Sequence, residues 1–189
     1  LANAIRNLNI KGENLGIIYR KCPVDFTDRY DKVLEENKDI IVVIDPIWKQ
    51  VGKQWNQVLP AKEDFKMLYN VCEYSEFVTN VCSSTVFDFV IHNKSCIYYN
   101  YEQPQLKKGI RDIGQNYKYV HFRSMPSDKA AIFCTDKNDL EDIVKQVLDD
   151  KLSNVDEGKL WFEIVAGKTP TMASENIWEA INHILKLKQ

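Results

Sequence analysis

The chain has 189 residues, 44% hydrophobic and 28% charged, which places it among folded globular proteins and excludes a disordered tail, a collagen-like rod or a disulfide-framed miniprotein. Lys plus Arg number 25 against 27 Asp plus Glu, a net charge of −2, so no basic excess exists to draw nucleic acid. No apolar run approaches a membrane span; the longest, Ile40 to Ile44, suits a buried strand.

The elements follow in chain order. The first residues read as helical. Leu15 to Tyr19 predicts a strand, ending in the polar turn Arg20-Lys21-Cys22-Pro23. Asp28 to Asn37 predicts a helix with Thr27 as N-cap. Ile40 to Ile44 is apolar throughout, as expected of a strand covered on both faces, and Asp45-Pro46 stops it. Lys49 to Leu59 predicts loop or short helix. Ala61 to Tyr74 carries helical spacing at Phe65, Leu68, Tyr69 and Cys72. Phe77 to Asn80 predicts a strand, Ser83 to Asn93 a helix, and Cys96 to Tyr99 another strand. Asn100 to Arg123 predicts a long polar loop, Ala130 to Cys134 a strand, and Asp136 to Asp149 a helix with Leu140, Ile143, Val144 and Val147 on one face. Two further helices are expected over 154–165 and 173–187.

Strands alternating with helices predict an α/β domain spanning 1–189: a doubly wound, mostly parallel Rossmann-like sheet with helices on both faces. The helices of 154–187 are expected to pack on that sheet. Five widely spaced cysteines without a C-x-x-C pattern fit neither a disulfide framework nor a zinc site and point to a reducing, cytoplasmic compartment. His92, His121 and His183 have no metal-ligand spacing, so no metal is expected. The chain opens on Leu1 with no signal peptide, and is expected to be a piece of something longer.

In an open parallel sheet, ligands bind at the carboxyl ends of the strands. The turn Asn80-Val81-Cys82-Ser83-Ser84-Thr85 is the most informative of these ends. A helix start offers unpaired N–H groups and partial positive charge, and small hydroxyl residues let an anion approach. A strand running into Ser83, Ser84 and Thr85 is therefore a candidate phosphate cradle. Asp88, one turn on, is placed to accept ribose hydroxyls. The plainer alternative makes Ser83 an N-cap and Asp88 a first-turn acid. Arg20 has a plainer alternative too, a surface ion pair with Asp25 or Asp28. Trp48 and Trp55 flank the loop after the second strand and offer rings for stacking, or pack as partly buried aromatics. Lys107, Lys108 and Arg111 form a small basic group in the long loop. The dinucleotide, P-loop and nucleophile-elbow motifs are all missing, which argues against an NAD enzyme and a P-loop ATPase.

The run from Glu73 to Ile97, centred on Thr79-Asn80-Val81-Cys82-Ser83-Ser84-Thr85-Val86-Phe87-Asp88, resembles the donor-binding half of GT-B glycosyltransferases. CDP-glycerol glycerophosphotransferases and UDP-N-acetylglucosamine 2-epimerases carry related patterns. Arg20-Lys21-Cys22-Pro23 resembles their Arg-x-His-Pro turn, and Val58-Leu59-Pro60 with Asp64 resembles their link into the next helix. Gly167-Lys168-Thr169-Pro170 with Ala173 to Ile177 is similar to their closing helix. Three positions depart from the pattern: Cys22 stands for His, Ser95 for Pro, and Glu76 for Asp.

The resemblance implies one half of a GT-B fold. Ser83, Ser84 and Thr85 would hold the donor diphosphate, with Asn80 and Arg20 beside it, and Asp88 the ribose. Trp48, Leu59 and Asn100 would lie near the base or sugar. The implied activity is that of a metal-independent glycosyltransferase using a nucleotide-sugar donor, UDP-linked by preference, in glycan synthesis. The acceptor site and catalytic base would sit on an amino-terminal domain of the parent protein, outside this chain, and no cofactor is implied. Two alternatives stay open: a CDP-glycerol glycerophosphotransferase-type domain, and a non-catalytic nucleotide-binding or assembly domain. A peripheral membrane position for the parent, at the inner face, also stays open.

Overall fold

The computed structural model describes residues 1–54, 56–102, 112–167 and 170–186. Trp55, Gln103, Lys107, Lys108, Arg111, Lys168, Thr169 and Leu187 lie outside the described residues. The chain divides into two compact units, Leu1–Ser75 with Lys137–Lys151, and Glu76–Asp136 with Leu152–Gln189.

In the first unit, α1 (Ala2–Ile10) buries Ile5 and Leu8, three residues apart on one face. It packs on α5 (Leu140–Leu148), which buries Leu140, Val144 and Val147 at the same kind of spacing. Polar ties edge this contact: Asn7 donates to Glu141 at 2.8 Å and Lys145 pairs with Glu13 at 2.8 Å. β1 (Ile17–Arg20) runs parallel to β2 (Ile41–Ile44), with Ile17 opposite Ile41 and Arg20 opposite Ile44. The short helix α2 (Asp31–Glu36) starts from Tyr30 rather than from the expected cap Thr27. Thr27 instead bonds Asp25 through both its N–H and its hydroxyl. The segment expected as loop or short helix holds an antiparallel hairpin, β3 (Trp48–Gln50) against β4 (Val58–Pro60). α3 (Lys62–Tyr74) follows, with Glu63 and Asp64 in its first turn.

The second unit is a three-stranded parallel sheet in the order β5 (Phe77–Asn80), β6 (Ser95–Tyr99), β7 (Ile132–Cys134). The central strand β6 is buried over Ser95 to Tyr98, the full coverage expected of a strand between two neighbours. α4 (Thr85–Ile91) crosses from β5 to β6 and packs against α6 (Val155–Ala166). Gly158 lies at that crossing, where a Cβ would sit 2.6 Å from Val90 Cγ1. The core gathers Val86, Val90, Cys96, Tyr98, Phe122, Ala130, Ala131 and Trp161. Buried Asn154 is held at both ends of its amide: its Oδ1 accepts the Cys96 N–H at 2.8 Å and its Nδ2 donates to the Ala130 carbonyl at 2.9 Å. The expected long loop carries 3₁₀ turns at Ile113–Lys118 and Phe122–Ser124. Phe122 and Tyr117 turn inward there and meet the Tyr98 ring at 5.9 and 5.5 Å.

The parallel pairing agrees with the α/β expectation, but the sheet differs from it. The strands form three separate ladders, a parallel pair, a hairpin and a parallel triplet, rather than one doubly wound sheet. β2 differs too: Val42 and Val43 are 64% and 47% exposed, so its faces lack the two-sided cover that its apolar run predicts. Of the two closing helices, α6 packs against α4 and buries Trp161, and α7 spans Ala173–Lys186. Its apolar stripe of Ile177, Trp178, Ile181, Ile184 and Leu185 is exposed, and the helix buries no residue. α6 stops at Gly167, whose φ of 87° turns the chain out of the helical direction before α7 begins. No helix among the described residues is long and apolar enough to cross a membrane.

Candidate functional site

The carboxyl end of β5 is built around Asn80. Its Oδ1 accepts the N–H of Ser83 at 2.9 Å, while its Nδ2 reaches Cys96 Sγ at 3.6 Å. Cys82, between them, adopts φ 43°, a left-handed conformation that costs a non-glycine residue about 1 kcal/mol or more. The Asn80 bond is one of the contacts that hold it there. From below, Tyr98 Oη donates to the Ser83 carbonyl at 2.7 Å. Burial pushes the Tyr98 phenol far above its ordinary value, so it remains a neutral donor. Burial likewise raises the Cys82 thiol, which keeps it protonated and weakly nucleophilic.

The three hydroxyl residues are not equivalent. Ser83 Oγ and Thr85 Oγ1 lie 2.7 Å apart, and Ser83 Oγ also accepts the Thr85 N–H at 3.2 Å. One of their two hydroxyl protons is engaged between them; the other remains to donate. Ser83 thus braces the turn through Thr85, but the N-cap position of α4 falls on Ser84, without a side-chain cap bond, and not on Ser83 as the plainer alternative held. Ser84 is exposed, and its N–H and hydroxyl have no hydrogen-bond partner among the described residues. Asp88 lies half-buried in the first turn of α4. Asn100, just past β6, donates its N–H to the Cys134 carbonyl at 2.8 Å and so extends the ladder by one rung. Asn80 is in register with Tyr98, so Asn100 shares this end of the sheet. The second unit therefore brings Asn80, Ser83, Ser84, Thr85, Asp88 and Asn100 to one edge.

Arg20, Trp48 and Leu59 belong to the first unit. Arg20 pairs with neither Asp25 nor Asp28. Its Nη2 donates to both oxygens of Asp64, at 2.8 and 2.7 Å. Asp25 instead receives Arg29 at 2.5 Å. Asp64 also accepts the Ile47 N–H at 2.7 Å and the Trp48 indole N–H at 2.8 Å. It is 3% exposed. Burial alone would raise its carboxyl, but the bonds from Arg20, Ile47 and Trp48 outweigh it and hold the group below the ordinary carboxylate range. Trp48 pairs with Pro60 and Lys49 with Leu59 across the hairpin, so Trp48 and Leu59 point to opposite faces of the ribbon. They cannot line one base pocket from that ribbon. Cys22 is an exposed free thiol.

Asp64 was read from the sequence only as part of the link after Pro60 and was given no role, because nothing local announces a partner 44 positions earlier. Among the described residues, no three His, Cys, Asp or Glu side chains gather as metal ligands would. No family model, curated protein or solved structure matches the chain. The edge of the second unit offers hydrogen-bond donors to an anion, whereas its thiol and phenols stay protonated, so it is suited to holding charge rather than to moving protons.

Proposed function

We propose that the β5–α4 turn holds the diphosphate of a nucleotide donor, and that the chain is the donor-binding part of a GT-B-type glycosyltransferase. In this reading the parallel ladders belong to one Rossmann-like half of that fold. The observation that carries it is Ser84: an exposed residue whose N–H and hydroxyl have no partner among the described residues, at the carboxyl end of a parallel strand, on a turn fixed by Asn80 and Tyr98. Small oxyanions are held by such clustered N–H and O–H donors. The second hydroxyl proton of the Ser83–Thr85 pair adds one more donor, and Asp88 takes the ribose hydroxyls. The donors neutralise charge on the departing diphosphate, which a divalent metal does elsewhere. A UDP-sugar is the proposed donor. The exposed thiol of Cys22, where the related families carry His, favours a second reading in which the chain binds nucleotide without turning it over.

Calorimetric titration with UDP, CDP and GDP tests the proposal. Weak UDP binding is expected, reduced about tenfold or more in Ser84→Ala and Asp88→Ala, the loss of a hydrogen bond to a charged group. Preference for CDP would move the assignment to the glycerophosphotransferase type. Absence of binding by all three at millimolar concentration would refute it.

A further inference from the structure

The buried ion pair of the first unit is asymmetric. A guanidinium carries five N–H donors. Arg20 meets Asp64 through Nη2 alone, and its Nε and Nη1 have no partner among the described residues. Yet no buried side-chain nitrogen or oxygen of the described residues lacks a hydrogen bond. Nε and Nη1 therefore reach the surface, through the 17% of the side chain that is exposed. Asp64, by contrast, is saturated: Arg20, Ile47 and Trp48 all donate to it, and its side chain is 4% exposed. Its donors arrive from the end of β1 and from the turn after β2, so the carboxylate sits as a fixed post. The neighbouring cation is otherwise engaged, since Lys21 Nζ donates to the Thr27 carbonyl at 2.7 Å.

We propose that Asp64 is a positioning residue: it grips one nitrogen of Arg20 and thereby presents the remaining three N–H groups to a phosphate-type oxyanion at the carboxyl end of β1. The carboxylate orients the guanidinium and removes its rotamer freedom before the anion arrives, so less ordering is needed on binding. The proposal concerns the first unit alone, goes beyond the donor-binding reading and does not depend on it.

The test follows the arginine Nε–H resonances of the isotope-labelled chain, with that of Arg20 assigned by its loss in Arg20→Lys, during titration with inorganic pyrophosphate and separately with UDP. The Arg20 signal is expected to shift in the wild type. Asp64→Asn is expected to weaken pyrophosphate binding by about tenfold or more, and Asp64→Glu to restore part of it while the circular dichroism of the three chains stays alike. An Arg20 signal unmoved by saturating pyrophosphate, or unchanged affinity in a folded Asp64→Asn, overturns the inference. If Asp64→Asn does not fold, the wild-type titration and Arg20→Lys decide alone. UDP binding that depends on Ser84, together with an Arg20 signal unmoved by pyrophosphate, would sink this inference and spare the donor site. Pyrophosphate at Arg20 without any nucleotide affinity would do the reverse.

Discussion

Replacing Gly158 with alanine sets two effects of known size against each other. Glycine inside a helix is less favourable than alanine by about 1 kcal/mol, so propensity alone predicts that Gly158→Ala stabilises α6. Packing predicts the opposite. The new Cβ would stand 2.6 Å from Val90 Cγ1 and 3.2 Å from Asn154 Nδ2, well inside ordinary contact. Val90 is completely buried, and Asn154 is pinned at both ends by hydrogen bonds, so neither can yield cheaply. Overpacking of this kind costs about 1–3 kcal/mol. The net expectation is a loss of up to about 2 kcal/mol, read as a lower urea midpoint with an unchanged slope. Val90→Ala alone should cost about 2 kcal/mol, from two lost methyl groups and the cavity they leave. In that background Gly158→Ala should become neutral or stabilising, because the clashing methyl is gone. The coupling between the two sites should therefore be favourable by about 1–3 kcal/mol. If Gly158→Ala raises stability by the full helix-propensity gain in the wild-type background, the close approach of α4 and α6 described above is wrong.

Two other outcomes are expected. Asn154→Leu strands the buried Cys96 N–H and Ala130 carbonyl together, and should lower unfolding stability by about 2–4 kcal/mol; a loss below about 1 kcal/mol would mean that those groups find other partners. Asp64 has a depressed carboxyl in the folded chain. Its contribution is therefore complete above the unfolded carboxylate value of about 4 and disappears as pH falls through the lower folded value. Urea midpoints measured down the acid range should fall more steeply for the wild type than for Asp64→Asn, and parallel curves would contradict the assignment.

How far the chain could be read depended on the range of the cause. β5 was legible to the residue, and α3 nearly so, because a short run of strand-favouring residues and a helical stripe are local patterns. The β3–β4 hairpin was not. Its strands are three residues each and its turn lacks the Asn-Gly or Asp-Gly pair that marks a tight hairpin. The run Ile40 to Ile44 was correctly a strand, but its cover depends on neighbours that the strand itself does not encode. Tyr117 and Phe122 were hidden in a polar stretch whose aromatic members find their place only against Tyr98. At the candidate site, the Ser83 to Thr85 turn stood out in the sequence, since small hydroxyl residues before a helix carry local meaning. The division of labour among them did not, because it follows from side-chain bonds. Arg20 was singled out, but the only protein partners weighed for it, as a plainer alternative, were the nearby acids Asp25 and Asp28. The true one lies on α3, brought close by the chain's return.

The phenol of Tyr98 has a consequence for how the molecule can vary. One end of that side chain belongs to the aromatic interior, within 6 Å of the rings of Phe122 and Phe133, and the other end supports the backbone of an outward-facing turn. Skin and marrow are thus joined by a single atom. A change of volume deep among the rings would tilt the phenol and be felt at Ser83. Drift in the interior and drift in the Ser83 turn are therefore tied to each other, and a lineage that repacks this centre must retune that turn at the same time.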